Sequence, residues 1–184
     1  MVYNKSLIRG FDNEGESKIV ALDESLFIHD NNGDEIWVLG GIETKEEKIR
    51  LAITKVRNIS TLENFVYENF KEGTHFTYDG LAGYNFLNNN INYTHERHNH
   101  GAGDFGYGLH STSHIENLWA NLKQIITKID GIMPQKNFIL FLKEAELRNN
   151  LRNKSKNEIF NSLKEYFKEI YSYNQFNIQQ NDMN

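Results

Sequence analysis

Asp23 stands inside an otherwise apolar run, with Ile19, Val20, Ala21 and Leu22 before it and Leu26, Phe27 and Ile28 after it. An unpaired carboxylate buried in such a strand is costly, so it either reaches the strand's wet end or meets a cation. Glu24 follows and, by strand alternation, points to the opposite face, so the two are not expected to serve one site side by side. Asp79 ends a second short apolar stretch and precedes Gly80. Strand ends are where open α/β sheets place active groups, although an aspartate there is equally suited to cap a helix beginning at Gly80. Glu116 completes Ser113-His-Ile-Glu116, a capping-box pattern with Glu at the third helical position. It also lies about 100° around the helix from Ile115, which leaves it on the flank of the apolar stripe. Lys123, seven residues on, falls on nearly the same face. Three carboxylates brought together from two strand ends and a helix would hold two Mg²⁺ or Mn²⁺ ions. Oxygen donors suit those ions and not zinc. Such a pair polarises a phosphate, activates a water or a 3′-hydroxyl, and stabilises the leaving oxygen.

His95, His98, His100, His110 and His114 crowd into twenty residues. Imidazoles at that density can bind zinc, but no carboxylate or cysteine completes a familiar spacing. They read as a polar loop packed on the core, with contact to nucleic acid as the functional alternative. Gly101, Gly103 and Gly106 follow no convincing strand, so a nucleotide-binding glycine loop is discounted. Trp119 reads as core.

The elements that would position these groups follow from periodicity. Lys18–Ile28 reads as a strand, Asn31-Asn-Gly-Asp34 as a hairpin turn, Glu35–Ile42 as the return strand and Lys48–Val56 as a third strand. Ser60 is expected to cap a helix ended by Gly73. A strand Thr74–Tyr78, a short helix Gly80–Leu87 and a strand Ile91–His95 come next, then a loop over 96–110. Ile115, Leu118, Trp119, Leu122, Ile125, Ile126 and Ile129 form one helical stripe. Further helices are expected over about 135–150 and 156–172, with a frayed tail over about 174–184. Three hairpin-linked strands followed by alternating helices and strands predict an α/β chain with an RNase H-like mixed sheet and helices on both faces. The expected division is a lead-in over 1–16, a catalytic domain over 17–150, and a C-terminal helix and tail over 151–184.

With 184 residues, 39% hydrophobic and 12% aromatic, the chain can bury a real core. It lacks cysteine, which excludes disulfides and cysteine-ligated zinc. No apolar run approaches membrane-spanning length and no signal-peptide pattern opens the chain, so an intracellular protein without membrane contact is expected. The 20 Lys and Arg against 25 Asp and Glu give a net charge of −5. That argues against a simple DNA-coating protein but suits an enzyme with an acidic, cation-binding site. Lys143, Arg148, Arg152, Lys154 and Lys156 read as a solvated helix face.

Taken in order, several segments resemble the ISXO2-like transposase domain of the IS1595 insertion-sequence family, a DDE-type group related to IS1016 and Merlin elements. They are Ile19-Val-Ala-Leu-Asp-Glu-Ser25, Trp37-Val-Leu-Gly-Gly-Ile42, Thr77-Tyr-Asp-Gly-Leu-Ala-Gly-Tyr84, His95-Glu-Arg-His-Asn-His100, His110 through Lys123, and Phe141 through Asn149. The resemblance spans about 17–150. It implies an RNase H-like catalytic core that cuts and joins DNA with Mg²⁺ or Mn²⁺, acting on transposon ends and target as a homo-oligomer. By position, Asp23 and Asp79 match the first two catalytic aspartates, Glu116 the third acidic position and Lys123 the lysine after it. His114 is the alternative third residue. His100, His110 and Lys123 are the expected DNA contacts. Members of this family usually carry an N-terminal DNA-binding region, whereas about 17 residues precede the core here. A truncated, silent copy or a DNA-binding partner is therefore one alternative, and another RNase H-like nuclease a second.

Overall fold

The computed structural model describes residues 8, 10–128 and 135–164. One compact unit covers Ser6–Asn150 and carries the sheet; beyond it, residues 156–164 are helical within a second unit. Ile129, Pro134, the rest of the helix expected to 172 and the tail lie outside the described residues.

Five strands form one sheet in the order β3-β2-β1-β4-β5. They are β1 (Ile19–His29), β2 (Glu35–Glu43), β3 (Ile49–Thr54), β4 (His75–Tyr78) and β5 (Thr94–Arg97). β1, β2 and β3 make an antiparallel meander, and β4 and β5 add in parallel. This is the RNase H-like mixed sheet, and β1 is its central strand. The β1–β2 turn is closed by Asp30, whose carboxylate accepts from the Asn32 and Asp34 amides at 2.9 Å, while Gly33 supplies the positive φ of 83°.

Period-2 alternation divides the apolar residues between two layers. Val20, Leu22, Leu39, Phe76 and Tyr78 face one way, onto helix α1 (Ile59–Asn69) and a 3-10 helix over Ala82–Asn89. Ala21, Ile36, Val38, Ile42 and Leu51 face the other way, onto α2 (Ser113–Lys128) and α3 (Gln135–Leu151). Gly40 and Gly41 sit where both layers press closest. A Cβ on Gly40 would lie 2.3 Å from the Trp119 indole, and one on Gly41 would lie 2.4 Å from the Phe70 ring.

Several boundaries differ from the sequence expectation. Asn58, not Ser60, caps α1, its Oδ1 accepting from the Thr61 amide at 2.9 Å. The helix stops at Asn69 because Phe70 turns extended and bridges Ile8 of the lead-in. β5 begins three residues later than Ile91, which is a turn residue and 97% exposed. Parallel pairing with β4 sets that register, His75 opposite Thr94, and overrides the local apolar cue.

α3 closes the β3 edge with side chains. Asn150 accepts from the Ile49 amide at 2.7 Å and donates to its carbonyl at 3.0 Å. Glu146, 4% exposed, accepts from the Leu51 amide at 3.1 Å and faces Arg50 at 3.4 Å. The edge backbone is thereby satisfied by helix side chains where a sixth strand could otherwise add. Glu146→Ala removes the acceptor for one buried amide and the carboxylate beside Arg50. It is expected to lower unfolding free energy by about 2 kcal/mol or more. A urea titration with an unchanged midpoint would contradict this role.

Candidate functional site

The centre of the sheet sets the first two carboxylates side by side. β1 and β4 run parallel with Leu22 opposite Tyr78, so the next residues, Asp23 and Asp79, leave the pairing at the same level and on the α2 face. Asp79 Oδ1 accepts from the Leu81 amide at 3.0 Å, a turn that fixes the carboxyl just past the strand end. The aspartate is thus a turn anchor and does not cap the 3-10 helix, whose preceding residue, Leu81, makes no side-chain cap bond.

Glu116 comes in from the first turn of α2. The capping box expected at Ser113 does not form: Ser113 is already inside the helix, its amide held by Ser111 Oγ at 3.2 Å, and the Glu116 amide bonds the Thr112 carbonyl at 3.3 Å. The Glu116 carboxylate instead lies 3.6 Å from His100 Nδ1. Its charge and that of Asp79 both reach Asp23. Burial, with these two like charges adding to it, pushes the Asp23 carboxyl from an ordinary 3.8 up to about 6, against the lowering effect of a hydrogen bond from Trp119. The charges of Asp79 and Glu116, from distant parts of the chain, thus both bear on Asp23.

A half-buried carboxylate beside two like charges is an electrostatic condition that a divalent cation would relieve. The donor set is all oxygen, as Mg²⁺ or Mn²⁺ prefers. A model of the ISXO2-like transposase domain matches residues 17–150. The chain belongs to this family.

Comparison of this ISXO2-like transposase domain with curated proteins finds no match. Among solved structures it is similar to the catalytic core domain of BIV integrase, with 14% identity over 68% of this chain and 80% of that one and a TM-score of 0.45. It is also similar to the trimeric form of the HTLV-2 integrase catalytic core domain in complex with magnesium, at 12% identity, 77% and 90% coverage and a TM-score of 0.48. A simian T-cell lymphotropic virus intasome chain gives 15% identity and a TM-score of 0.45; this chain spans 50% of its length. The RNase H-like assignment rests on the sheet order and the family, not on these superpositions.

The surroundings of these carboxylates hold two features that escape sequence reasoning. Trp119 is core, at 5% exposure, but its indole Nε1 also donates to Asp23 Oδ2 at 2.8 Å. It reaches that atom by lying flat over Gly40, the β2 partner of Asp23. The only sequence cue is its position three residues after Glu116, one turn along the same helix side. Glu24 does point to the opposite face, where Tyr84 donates to it at 3.3 Å and Arg57 pairs with it at 3.4 Å. Burial, then the charges of Asp23 and Asp79, nonetheless push its carboxyl from 4.5 up to about 7. The two acids are separated in face but not in field.

The remaining expected residues fall at the rim or away from it. His114 Nε2 lies 3.0 Å from the Gly108 carbonyl, turned toward the loop. Lys123 is exposed, with Nζ 5.3 Å from the centroid of the Phe27 ring. His100 sits between Glu116 and Thr112, bonding the Thr112 hydroxyl at 2.8 Å through Nε2. His110 Nδ1 is 3.1 Å from Glu96.

Gly40→Ala tests the indole's role. The new methyl group would overlap the Trp119 ring, so the indole must leave Asp23 or the sheet must open. The expected result is a loss of about 1–3 kcal/mol in stability, with a changed near-ultraviolet circular dichroism band. A variant with wild-type melting and spectrum would show that Trp119 does not need this glycine.

Proposed function

We propose that this domain is the catalytic core of a DDE-type transposase that cuts and joins DNA strands with divalent metal. The observation that supports the reading is the match of residues 17–150 to the ISXO2-like transposase domain, with Asp79 and Glu116 both bearing on Asp23 where β4 ends. In this reading those three carboxylates hold Mg²⁺ or Mn²⁺, two ions in all. The ions supply Lewis-acid polarisation of the scissile phosphate and lower the pKa of the attacking water or 3′-hydroxyl.

The chain's own residues do the rest. Trp119 fixes one oxygen of Asp23 and leaves the other to face the site. The Leu81 amide does the same for Asp79. His100 steadies Glu116 and borders the entry for DNA. Lys123 lies further along α2, where an ammonium can meet a backbone phosphate. His110, with Nδ1 directed at Glu96, has only Nε2 left for such a contact. Glu116 is favoured over His114 as the third metal-holding residue because His114 faces the Gly108 carbonyl.

The substrate is DNA, transposon ends and then target, and a homo-oligomer is the working form because two ends must be processed together. Among the described residues no helix is long and apolar enough to cross a membrane. The purified domain is expected to nick or join DNA bearing the element's ends when Mg²⁺ or Mn²⁺ is present and not with chelator. Cleavage of RNA–DNA hybrid in preference to those ends would replace transposition with another nuclease activity, and metal-independent cleavage would overturn the reading.

A further inference from the structure

We propose that the domain carries a second metal site, a zinc site built by His75, Glu96, His98 and His110 at the β4–β5 edge. His75 opens β4, Glu96 lies on β5, His98 follows β5 directly, and His110 closes the loop that leads into α2. One ligand atom each from His75, Glu96 and His110 lie within 4.8 Å of one another. The Glu96 carboxylate is the hub. It is 3.1 Å from His110 Nδ1, 3.7 Å from His75 Nε2 and 3.9 Å from His98 Nε2.

Two of those nitrogens have no hydrogen-bond partner although they are buried. His75 Nε2 and His98 Nε2 are both in this state among the described residues, and the His98 side chain is only 10% exposed. Leaving a buried imidazole nitrogen unmatched is unfavourable, and two aimed at one carboxylate is a rare coincidence without a ligand between them. The outer hydrogen bonds explain which form each ring takes. His98 Nδ1 lies 3.2 Å from the Asp104 carboxylate, which only accepts. The ring proton therefore sits on Nδ1, and the Nε2 lone pair points at Glu96. A carboxylate behind an imidazole in this way is the arrangement that orients metal-ligating histidines. His75 Nδ1 is held by the Thr94 hydroxyl at 2.8 Å, which turns its Nε2 inward in the same manner. Gly106, with φ of 72°, leaves the space that His98 occupies, since a Cβ there would come within 2.8 Å of Nε2.

Three imidazoles and one carboxylate select zinc over magnesium, which prefers oxygen. Tetrahedral zinc with bonds of about 2.0–2.1 Å brings its ligands to roughly 3.3 Å of one another. The three separations from Glu96, 3.1, 3.7 and 3.9 Å, lie close to that value. No sequence motif announces the site because its ligands come from two strands paired in parallel and from a loop 33 residues beyond Thr77, whose hydroxyl donates to the His110 carbonyl at 2.7 Å.

The site is separate from the carboxylate triad. His75 opens β4 and Asp79 follows the last residue of that strand, four residues on, about 13 Å along an extended chain. Zinc here would tie the 98–110 loop to the sheet edge and so hold the entry to α2, the helix that presents Glu116.

Cobalt(II) titration of the metal-stripped domain, followed by visible absorption, tests this. One equivalent of Co²⁺ is expected to give the intense bands of a tetrahedral site, displaced by one equivalent of Zn²⁺. His98→Gln and His75→Gln are expected to lose those bands while keeping the far-ultraviolet circular dichroism of the metal-free wild type. Asp79→Asn is expected to keep them, which separates this site from the triad and from the transposase reading. If a variant fails to fold, zinc content of the untreated wild type by mass spectrometry decides instead, with one zinc per chain expected. Absence of tetrahedral bands, bands that survive both histidine substitutions, or wild-type protein holding no zinc and taking up none would overturn the proposal.

Discussion

Asp23→Asn is expected to abolish metal-dependent strand cleavage and at the same time to make the metal-free domain more stable. The two effects share one cause. Asp23 sits at the centre of the sheet, buried, with the charges of Asp79 and Glu116 adding to the cost of ionising it. The amide keeps the volume and can still accept from the Trp119 indole, so packing is preserved. It removes one of the negative charges that hold the cation. Metal polarisation contributes several kcal/mol of transition-state stabilisation, so the rate should fall by about a thousandfold or more. Removing the buried charge should raise unfolding free energy at neutral pH by about 1–2 kcal/mol. Strand-nicking assays in Mg²⁺ and thermal melts in chelator read the two arms. Asp79→Asn should match the first arm. Full activity in both variants would remove these aspartates from the chemistry, and a large loss of stability in Asp23→Asn would mean that its charge has a structural partner.

Much of this arrangement is legible in the sequence because it rests on short-range pattern. The alternation through β1 and β2, the Asp30–Asp34 turn and the stripe of α2 each signal themselves locally, and together they predict the meander and the helix that covers it. The three acids stand out in the sequence as candidates for a different reason: their segments resemble a known family in order and spacing, and a strand end is where a carboxylate stays accessible.

What the pattern misses depends on register between distant segments. The Trp119 bond to Asp23 joins residues 96 apart and requires both the Asp23–Gly40 pairing and a glycine bare enough for an indole to lie on. Glu146 and Asn150 read as polar residues of a solvated helix until β3 is seen to end the sheet beside them. Among the basic residues after position 142, Arg148 is held by Glu144 one turn away at 2.8 Å. Among the histidines, the cluster that forms recruits His75, which lies outside the crowded twenty residues, and Glu96, which local pattern assigns to a loop but which β5 carries.

Metal-free stability should fall as pH rises from about 4 to about 7, the reverse of what paired carboxylates give. A carboxyl whose pKa is raised by folding keeps its proton in the folded chain where the unfolded chain has already lost it. Its contribution is fully present below the unfolded value and is lost as pH rises through the folded one. Asp23, moved from 3.8 to about 6, and Glu24, moved from 4.5 to about 7, both have this sign. Burial is the largest cause of both shifts and the Asp23 charge adds to that of Glu24, so the pair together is worth on the order of 3 kcal/mol. Glu46, lowered to about 2 by Lys18 and Lys48, has the opposite sign but acts mostly below this window. His75, lowered by burial, opposes the trend within it. The difference between wild type and the Asp23→Asn, Glu24→Gln double variant cancels both, because those groups are common to the two proteins. That difference in chelator should grow steadily from pH 4 to pH 7. In Mg²⁺ it should shrink, since an ion held by the ionised carboxylates stabilises the form that high pH produces. A difference that stays flat with pH would mean that folding does not make these acids keep their protons, and one that Mg²⁺ leaves untouched would mean that no cation binds beside Asp23.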